Sequence, residues 1–379
     1  MQIARTVLRD DHEMFRTTVR RFFERECLPR QAAWDNAGQV DRETWLKAGR
    51  EGLLGISLPT EYGGGGGDFG HCAVFNEEFA RCGISGPYFG MHSDVIAPYI
   101  NRCGSEEQKR RWLPAVCAGE IILAIAMTEP GTGSDLKAVR TTAVREGDEY
   151  VINGSKTFIS NGLTADLVIV VCKTDPNAGA KGISLIAVEA NRPGFVRGRK
   201  LDKVGQHAQD TAELYFDNVR VPVANRLGEE GLGFSYLMAE LPQERFSIAV
   251  SAAAKLERLL EQTLDYVKER KAFNQSVWDF QNTKFKLADI KAQATALRVM
   301  VDYYLSEHMR RRLTLEEAAI AKLHTTETLS RCIDDMVQLH GGYGYMLEYP
   351  IARAFVDMRV NRIYGGTSEV MRELIARKL

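Results

Sequence analysis

The hydrophobic period of this chain changes twice, and that order of periods constrains the fold more than any single motif. Over residues 1–122 apolar positions recur at helical spacing. Phe15, Val19, Phe22, Phe23 and Cys27 form one amphipathic stripe, and Pro29 is expected to end it. Further helices are predicted over Asp41–Gly52, with Trp45 and Leu46 on its apolar face, and over Gly70–Cys82, Pro87–Arg102 and Ser105–Ala118. Over 123–230 the pattern becomes short apolar or alternating runs. These are Ile121–Met127, Thr141–Arg145, Tyr150–Ile152, Asp166–Lys173, Gly182–Val188 and Thr211–Phe216, with turn signals at Glu146–Glu149 and Asn153-Gly154. Over 231–379 the helical period returns in Phe246–Lys271, Trp278–Arg312, Leu315–His340 and Thr367–Arg377. The expected class is α+β: an N-terminal helical domain, a middle antiparallel β domain and a C-terminal helical bundle.

Composition excludes several functions. A length of 379 residues suits two to three domains. The balance of 49 Lys+Arg against 50 Asp+Glu argues against nucleic acid as a partner. No apolar run approaches the ~18 residues of a membrane span. The opening MQIARTVLRDDHEMF has neither an apolar signal core nor the acid-poor character of a transit peptide. Seven cysteines without a CxxC point to free thiols in a reducing compartment and to no metal site. A cytoplasmic enzyme is the expectation. No strand–GxGxxG–helix unit is present, against a nicotinamide-binding Rossmann domain. The glycine run in Glu61–Phe69 lacks the GK[ST] ending of a phosphate loop and reads as a flexible surface turn.

Several motifs bear on chemistry. Met127–Asp135 (MTEPGTGSD) follows a β run, and its glycines would let backbone N–H groups approach a flat or anionic ligand; a plain β turn is the alternative. Phe158 and Ser160 share a strand face, as a cofactor platform or as ordinary β packing. Arg270 closes a long helix, either solvated or offering its planar fork to a phosphate. These motifs, with Ile152–Gly162 (INGSKTFISNG), Glu269–Gln275 (ERKAFNQ), Gln338–Pro350 (QLHGGYGYMLEYP) and Ile363–Arg377 (IYGGTSEVMRELIAR), together resemble the acyl-CoA dehydrogenase family. The resemblance covers nearly the whole chain and is closest to the long-chain acyl-CoA dehydrogenase branch.

The resemblance implies domains at 1–122, 123–230 and 231–379, the middle one barrel-like and the last a four-helix bundle. It implies FAD as cofactor, held by Ile125, Ala126, Met127, Thr128, Gly133 and Ser134, with Phe158, Ile159 and Ser160 at the flavin ring. The family usually carries Trp and Thr where this chain has Phe158 and Ser160. Arg270, Gln281, Gln338, Leu339, His340, Gly341 and Gly342 would reach the FAD of a neighbouring subunit, with His340 structural. Thr367, Ser368 and Glu369 would complete the site. Substrate contacts fall on Ser134, Ala180, Lys181, Ser235, Pro242, Gln243, Arg245, Gly365 and Gly366. The implied partners are an acyl-CoA, an electron-transfer flavoprotein and further copies of the chain in a homo-oligomer, a tetramer by resemblance.

Desaturating a thioester needs a base for the α proton while the β hydride leaves for flavin N5, and a carboxylate suits that task. Many family members place a Glu directly before the GT of the last motif; here that position is Gly365. Glu244 matches the position used by the long-chain and isovaleryl branches and is the expected base. In isolation, Pro242 followed by Glu244 reads as an ordinary first helical turn. That helix N-terminus and Arg245 would lower the Glu244 pKa, whereas exclusion of water would raise it. The backbone N–H of Gly365 would polarise the thioester carbonyl together with a flavin ribityl hydroxyl. The missing side chain at Gly365 is expected to free space for branched chains. Gly90 and Ser93, in a segment with Phe89, Met91, Val95 and Ile96, are expected to leave room for a medium or long tail. Acyl-CoA oxidase or flavin monooxygenase chemistry on the same fold is the alternative. A non-catalytic, DNA-associated flavoprotein is disfavoured by the charge balance and by the absence of a basic tail after Leu379.

Overall fold

Val19, Phe22, Phe23 and Cys27 are buried together, as their spacing requires. The computed structural model describes residues 5–379. Helix α1 (Asp10–Phe22) continues through a π-helical turn at Phe23–Cys27 and a tighter turn at Leu28–Arg30 into α2 (Gln31–Ala37). Pro29 does not end the helical path: it stands in the first turn of the tighter Leu28–Arg30 segment, a position that tolerates proline. Next come α3 (Arg42–Arg50), capped by Asp41, and α4 (Phe69–Cys82), capped by Asp68. A π-helical stretch at Met91–Ile96 leads into α5 (Ala97–Cys103), and Ser105 caps α6 (Glu106–Cys117).

The glycine run lies at the surface but is pinned. The amides of Gly64, Gly65, Gly66 and Gly67 donate to the carbonyls of Pro59, Gly55, Leu58 and Ile56. A Cβ on Gly64 would stand 2.3 Å from the Leu58 carbonyl oxygen, and one on Gly65 would stand 2.7 Å from that of Ile56. Close backbone approach, not flexibility, demands glycine here.

The middle of the chain forms β1 (Leu123–Ala126), β2 (Thr142–Glu146), β3 (Glu149–Ser160), β4 (Leu167–Lys173), β5 (Ile183–Glu189), β6 (Phe195–Lys200), β7 (Thr211–Pro222) and β8 (Arg226–Leu227). Their order is β6-β7-β3-β2-β4-β5-β8, with β1 also on β4. The sheet is not wholly antiparallel: β1 and β2 run parallel to β4. The reason is connectivity, since β1 arrives from α6 and a long loop, not a hairpin, separates it from β2. Asn153-Gly154 is a bulge within β3 and not a turn, with the β7 register slipping between Ile152 and Gly154.

Helix α7 (Gly233–Glu269) begins well before Phe246 and carries Pro242 in its interior. Then follow a short hairpin, β9 (Lys271–Ala272) and β10 (Gln275–Ser276), and α8 (Gln281–Met309), α9 (Leu315–His340), α10 (Pro350–Asp357) and α11 (Ser368–Ala376). Helix α7 packs on α8, α9 and α4, and α11 packs on α9. The apolar cluster of Tyr99, Ile100, Leu113, Leu185 and Leu237 joins α5, α6, the sheet and α7, and the site lies beside it. All seven cysteines are free, and among the described residues no helix is long and apolar enough to cross a membrane.

Candidate active site

Glu244 stands well inside α7, not in its first turn, so the N-terminal field expected from the sequence does not act on it. Its carboxylate faces the segment before α11. A Cβ built on Gly365 would lie 3.6 Å from Glu244 Oε1. Gly365 and Gly366 have φ of 63° and 95°, conformations that favour glycine. Two cations hold their carbonyls: Arg245 Nε donates to Gly365 O at 3.1 Å, and Lys322 Nζ donates to Gly366 O at 2.6 Å. Burial pushes the Glu244 carboxyl above its ordinary range, and the nearby charges of Arg245 and Lys322 only partly offset this. Burial and the neighbouring Arg245 bring the Lys322 ammonium down to about 8. The space expected beside Gly365 is taken on one side, because Ile248 Cδ1 lies 2.7 Å from the vacant Cβ position.

The loop after β1 is organised by a buried pair that the motif reading missed. Lys156 Nζ donates to the Met127 carbonyl (3.1 Å), to Glu129 Oε1 (2.8 Å) and to the Val171 carbonyl (2.6 Å). The Glu129 carboxylate also accepts the Arg140 and Thr141 amides, and the Thr157 amide donates to the Thr128 carbonyl. Gly131 and Gly133 face open space. At the β3 bulge Phe158 takes a φ of 58° and is 68% exposed, while Ile159 is buried and Ser160 half-buried. A non-glycine residue in this region costs ~1–3 kcal/mol. An exposed aromatic ring held at that cost, beside glycines with room in front of them, fits a planar cofactor such as a flavin.

A second group lies at the C-terminal ends of α7 and α9. Tyr266, Arg270, Gln338, Leu339, His340, Gly341, Gly342 and Tyr343 line a cleft of about 410 Å³. The Arg270 guanidinium stands over the Tyr343 ring at 5.3 Å, and Gly341 and Gly342 face open space. An exposed guanidinium and unobstructed backbone suit a phosphate. His340 stacks on Tyr266 at 4.1 Å and donates from Nδ1 to the Met336 carbonyl, and burial lowers its pKa; these contacts are structural. Gln281 opens α8 and does not line the cleft, nor does any residue of 125–160. Thr367 caps α11, Ser368 Oγ donates to Glu327 at 2.6 Å, and Glu369 is exposed.

Of the residues expected to touch substrate, Lys181 and Ala180 lie in the turn at Gly179–Gly182, beside the start of α7 where Ser235 is exposed. Ser134 lies nearby in chain order, ahead of the turn at Leu136–Ala138, whose Lys137 covers the Phe234 ring at 5.4 Å. Pro242 is half-buried, and Gln243 donates its amide to the Asp94 carbonyl at 2.6 Å, tying α7 to the Met91–Ile96 stretch. The room expected at Gly90 and Ser93 is not there. Asn76 Oδ1 stands 2.5 Å from the Gly90 Cβ position, and Ser93 Oγ accepts the Gly55 amide. Met91, Val95, Met127 and Met238 are among the partly buried apolar side chains packed against the neighbouring cluster.

Lys156 and Lys322 had a sequence signal: each is a lysine on an inward-facing position of its element. The Lys322 position continues the buried stripe Ala318, Thr325 and Leu329 of α9. Asp11, His12 and His71 have ligand atoms within 4.8 Å of one another. Yet His12 Nδ1 accepts the Arg9 amide and Nε2 bonds Asp68, so no lone pair is left for a cation.

Comparison with known proteins accounts for this arrangement. Residues 9–120, 124–219 and 231–379 match the family models for the N-terminal, middle and C-terminal domains of acyl-CoA dehydrogenase. The chain is 50% identical over 377 residues to the mitochondrial long-chain specific acyl-CoA dehydrogenase of Sus scrofa, covering 99% of this chain and 88% of the relative. The crystal structure of an acyl-CoA dehydrogenase from Geobacillus kaustophilus superposes with a TM-score of 0.97 at 48% identity, covering 99% of each chain. A glutaryl-CoA dehydrogenase from Mycobacterium smegmatis in complex with FADH2 gives 0.90 at 29% identity, covering 98% of this chain and 95% of that one. With three successive domains matched in order, the chain belongs to the acyl-CoA dehydrogenase family, FAD-dependent oxidoreductases.

Proposed function

We propose that Glu244 removes the α proton of an acyl-CoA thioester in an α,β-dehydrogenation that yields the trans-2-enoyl-CoA. The observation that carries this reading is the 3.6 Å approach of Glu244 Oε1 to the vacant Cβ position of Gly365. A carboxylate from α7 thereby reaches the place where a side chain at 365 would begin. Its raised pKa suits a base better than an ordinary solvated carboxylate does. The Gly365 N–H donates to the thioester carbonyl, and Ser134, Ala180, Lys181 and Ser235 receive the CoA end. When bound, FAD would supply the acceptor for the β hydride, at N5. Residues 125–134, 158–160 and 367–369 would hold its flavin end. Arg270, Gln281 and Gln338–Gly342 bind the pyrophosphate end from a neighbouring subunit of a homotetramer, as the separateness of the Arg270 cleft supports. The domains run over 1–122, 123–230 and 231–379.

The tail is medium, long or branched. Three thioethers, Met91, Met127 and Met238, support this, since unbranched polarizable side chains adapt to different alkyl shapes. Electrons pass to an electron-transfer flavoprotein, and the free cysteines support a cytoplasmic setting. The test is anaerobic mixing of the Glu244→Gln holoenzyme with a panel of saturated acyl-CoAs. The variant should keep its FAD and fail to bleach it; rapid bleaching overturns the base assignment. Peroxide formed at turnover rate in air would favour the oxidase reading over transfer to a flavoprotein.

A further inference from the structure

Lys322 is fully buried on the stripe of α9 that meets α7 and α11. Among the described residues no carboxylate forms an ion pair with it; its ammonium donates to the Gly366 carbonyl. The preceding carbonyl, Gly365 O, takes Arg245. Two cations, from two helices, thus grip consecutive carbonyls of a turn whose two residues both have positive φ. Holding these carbonyls fixes the two peptide planes that carry the Gly366 and Thr367 N–H groups, and through the Gly365 Cα it restrains the preceding plane, which carries the Gly365 N–H.

We propose that Lys322 is a positioning residue for α-proton transfer: it locks the Gly365–Gly366 turn beside Glu244 with a buried group that also carries a positive charge. A neutral donor would satisfy the Gly366 carbonyl at lower cost, because burying an ammonium carries a large desolvation penalty. The charge is retained where a buried carboxylate must act as a base. Lys322 and Arg245 both hold the Glu244 pKa down against burial. The ionisable groups around the carboxylate come from every packed element: Arg245 from α7, Lys322 from α9, Tyr99 from α5 and Tyr364 from the segment before α11. Lys322 itself also faces Glu327 on α9 and Glu369 on α11.

This inference rests on Glu244 as the base, and the experiment separates the two. Lys322→Met removes charge and donor; Lys322→Gln removes the charge and keeps a donor. Each holoenzyme is mixed anaerobically with an acyl-CoA across the acid and neutral range. The acid limb of the flavin-reduction rate should move up by about one pH unit in both, because an opposite charge is lost. The Met variant should lose roughly tenfold more in kcat than in KM, and the Gln variant less, because its amide can still fix the turn. Calorimetry in buffers of different ionisation heat should show more protons already bound near Glu244 before the enoyl-CoA product binds. An unmoved acid limb in either variant that holds FAD overturns the inference, as does loss of FAD from both, which would mark Lys322 as a fold residue. Glu244→Gln measured in parallel decides the base reading: if it bleaches at the wild-type rate, that reading fails whatever Lys322 does. If it is inert while the Lys322 variants keep the wild-type limb, only the present inference fails.

Discussion

Glu244 Oε1 and Gly365 meet across the gap between α7 and the turn before α11, with 3.6 Å from the carboxylate oxygen to the position a Cβ on Gly365 would take. The carboxylate thus reaches the proposed acyl site from a helix. The turn can then be built from two glycines with positive φ and used for its backbone N–H alone.

That relationship makes Gly365→Ala a severe change for its size. The new methyl would lie 2.7 Å from Ile248 Cδ1, and the backbone would be strained at a φ of 63°. The expected cost is about 1–3 kcal/mol of stability, with displacement of the Gly365 N–H and a large loss of flavin reduction. Adding Ile248→Ala should relieve the clash but not the strain, so denaturant midpoints should recover only in part. Full recovery would show that the strain is negligible.

The pH dependence of the chemical step follows from the direction of the Glu244 shift. Burial raises its pKa above the ordinary 4.5, so Glu244, in the proposed role of base, would stay protonated and idle to a higher pH than a solvated carboxylate. The rate of flavin reduction should rise with pH through a midpoint above 4.5. Single-turnover rates at fixed acyl-CoA check this, and a rate that falls with rising pH across the same range would contradict it.

Asp94 offers a stability prediction of the opposite sign from most carboxylates. It is fully buried on the Met91–Ile96 stretch, bonded by Asn76 Nδ2 at 2.9 Å, with Oδ1 unpartnered. Burial pushes its pKa up to about 6 from 3.8. The folded chain binds the proton more tightly than the unfolded one, so this group's penalty is absent at low pH. It grows as pH rises through that window and is complete above about 6. The displacement is worth roughly 3 kcal/mol. Asp94→Asn should therefore stabilise the protein near neutrality and do little near pH 4, read as the difference in unfolding free energy from the wild type at each pH.

The Lys156–Glu129 pair predicts a loss of both stability and FAD. Lys156 is fully buried and Glu129 nearly so. Lys156→Met would leave an unpaired buried carboxylate, at a cost of about 3–5 kcal/mol. It would also free the Met127 carbonyl and loosen the cofactor loop. Adding Glu129→Gln should restore stability more than FAD affinity, since the amide removes the stranded charge without re-forming the bond to Met127. Urea unfolding and FAD content after gel filtration separate the two effects.

Much of this was legible in the sequence, for physical reasons that also mark where it failed. Leu315–His340 was readable to the residue because Thr314 caps it and Gly341 ends it. Helix α7 was read too short because Pro242 looks like a start, yet the packed helix tolerates it inside. Strand β6 was missed because Phe195–Lys200 is a charged edge without an apolar alternation. Glu244 was singled out by its match to a family position together with the missing side chain at Gly365, and the structure brings the two within reach of each other. Lys156 and Lys322 sit on inward-facing positions that the periodicity marks, but their partners are backbone carbonyls or distant in sequence, so the spacing gives their burial and not their contacts. The room expected at Gly90 failed in the same way: whether a glycine opens a cavity depends on its neighbour, here Asn76.

The Arg270 cleft carries the last prediction, about assembly. Arg270 is exposed, stacked on Tyr343, and surrounded by the open backbone of Gly341 and Gly342. None of the loop residues 125–134 lines this cleft. If it serves the cofactor of a neighbouring copy, FAD retention must depend on association. The holoenzyme should then lose FAD on dilution, with release tracking the fall in sedimentation coefficient. Arg270→Ala should weaken FAD binding roughly ten- to a hundredfold, and Arg270→Lys should recover only part of it, because an ammonium keeps the charge but not the planar fork. Mixing an Arg270→Ala subunit with a Lys156→Met subunit tests the arrangement directly. Mixed assemblies contain some sites with both elements intact and should regain FAD that neither variant holds alone. Failure of that regain in demonstrably mixed assemblies would place the cleft outside the cofactor site.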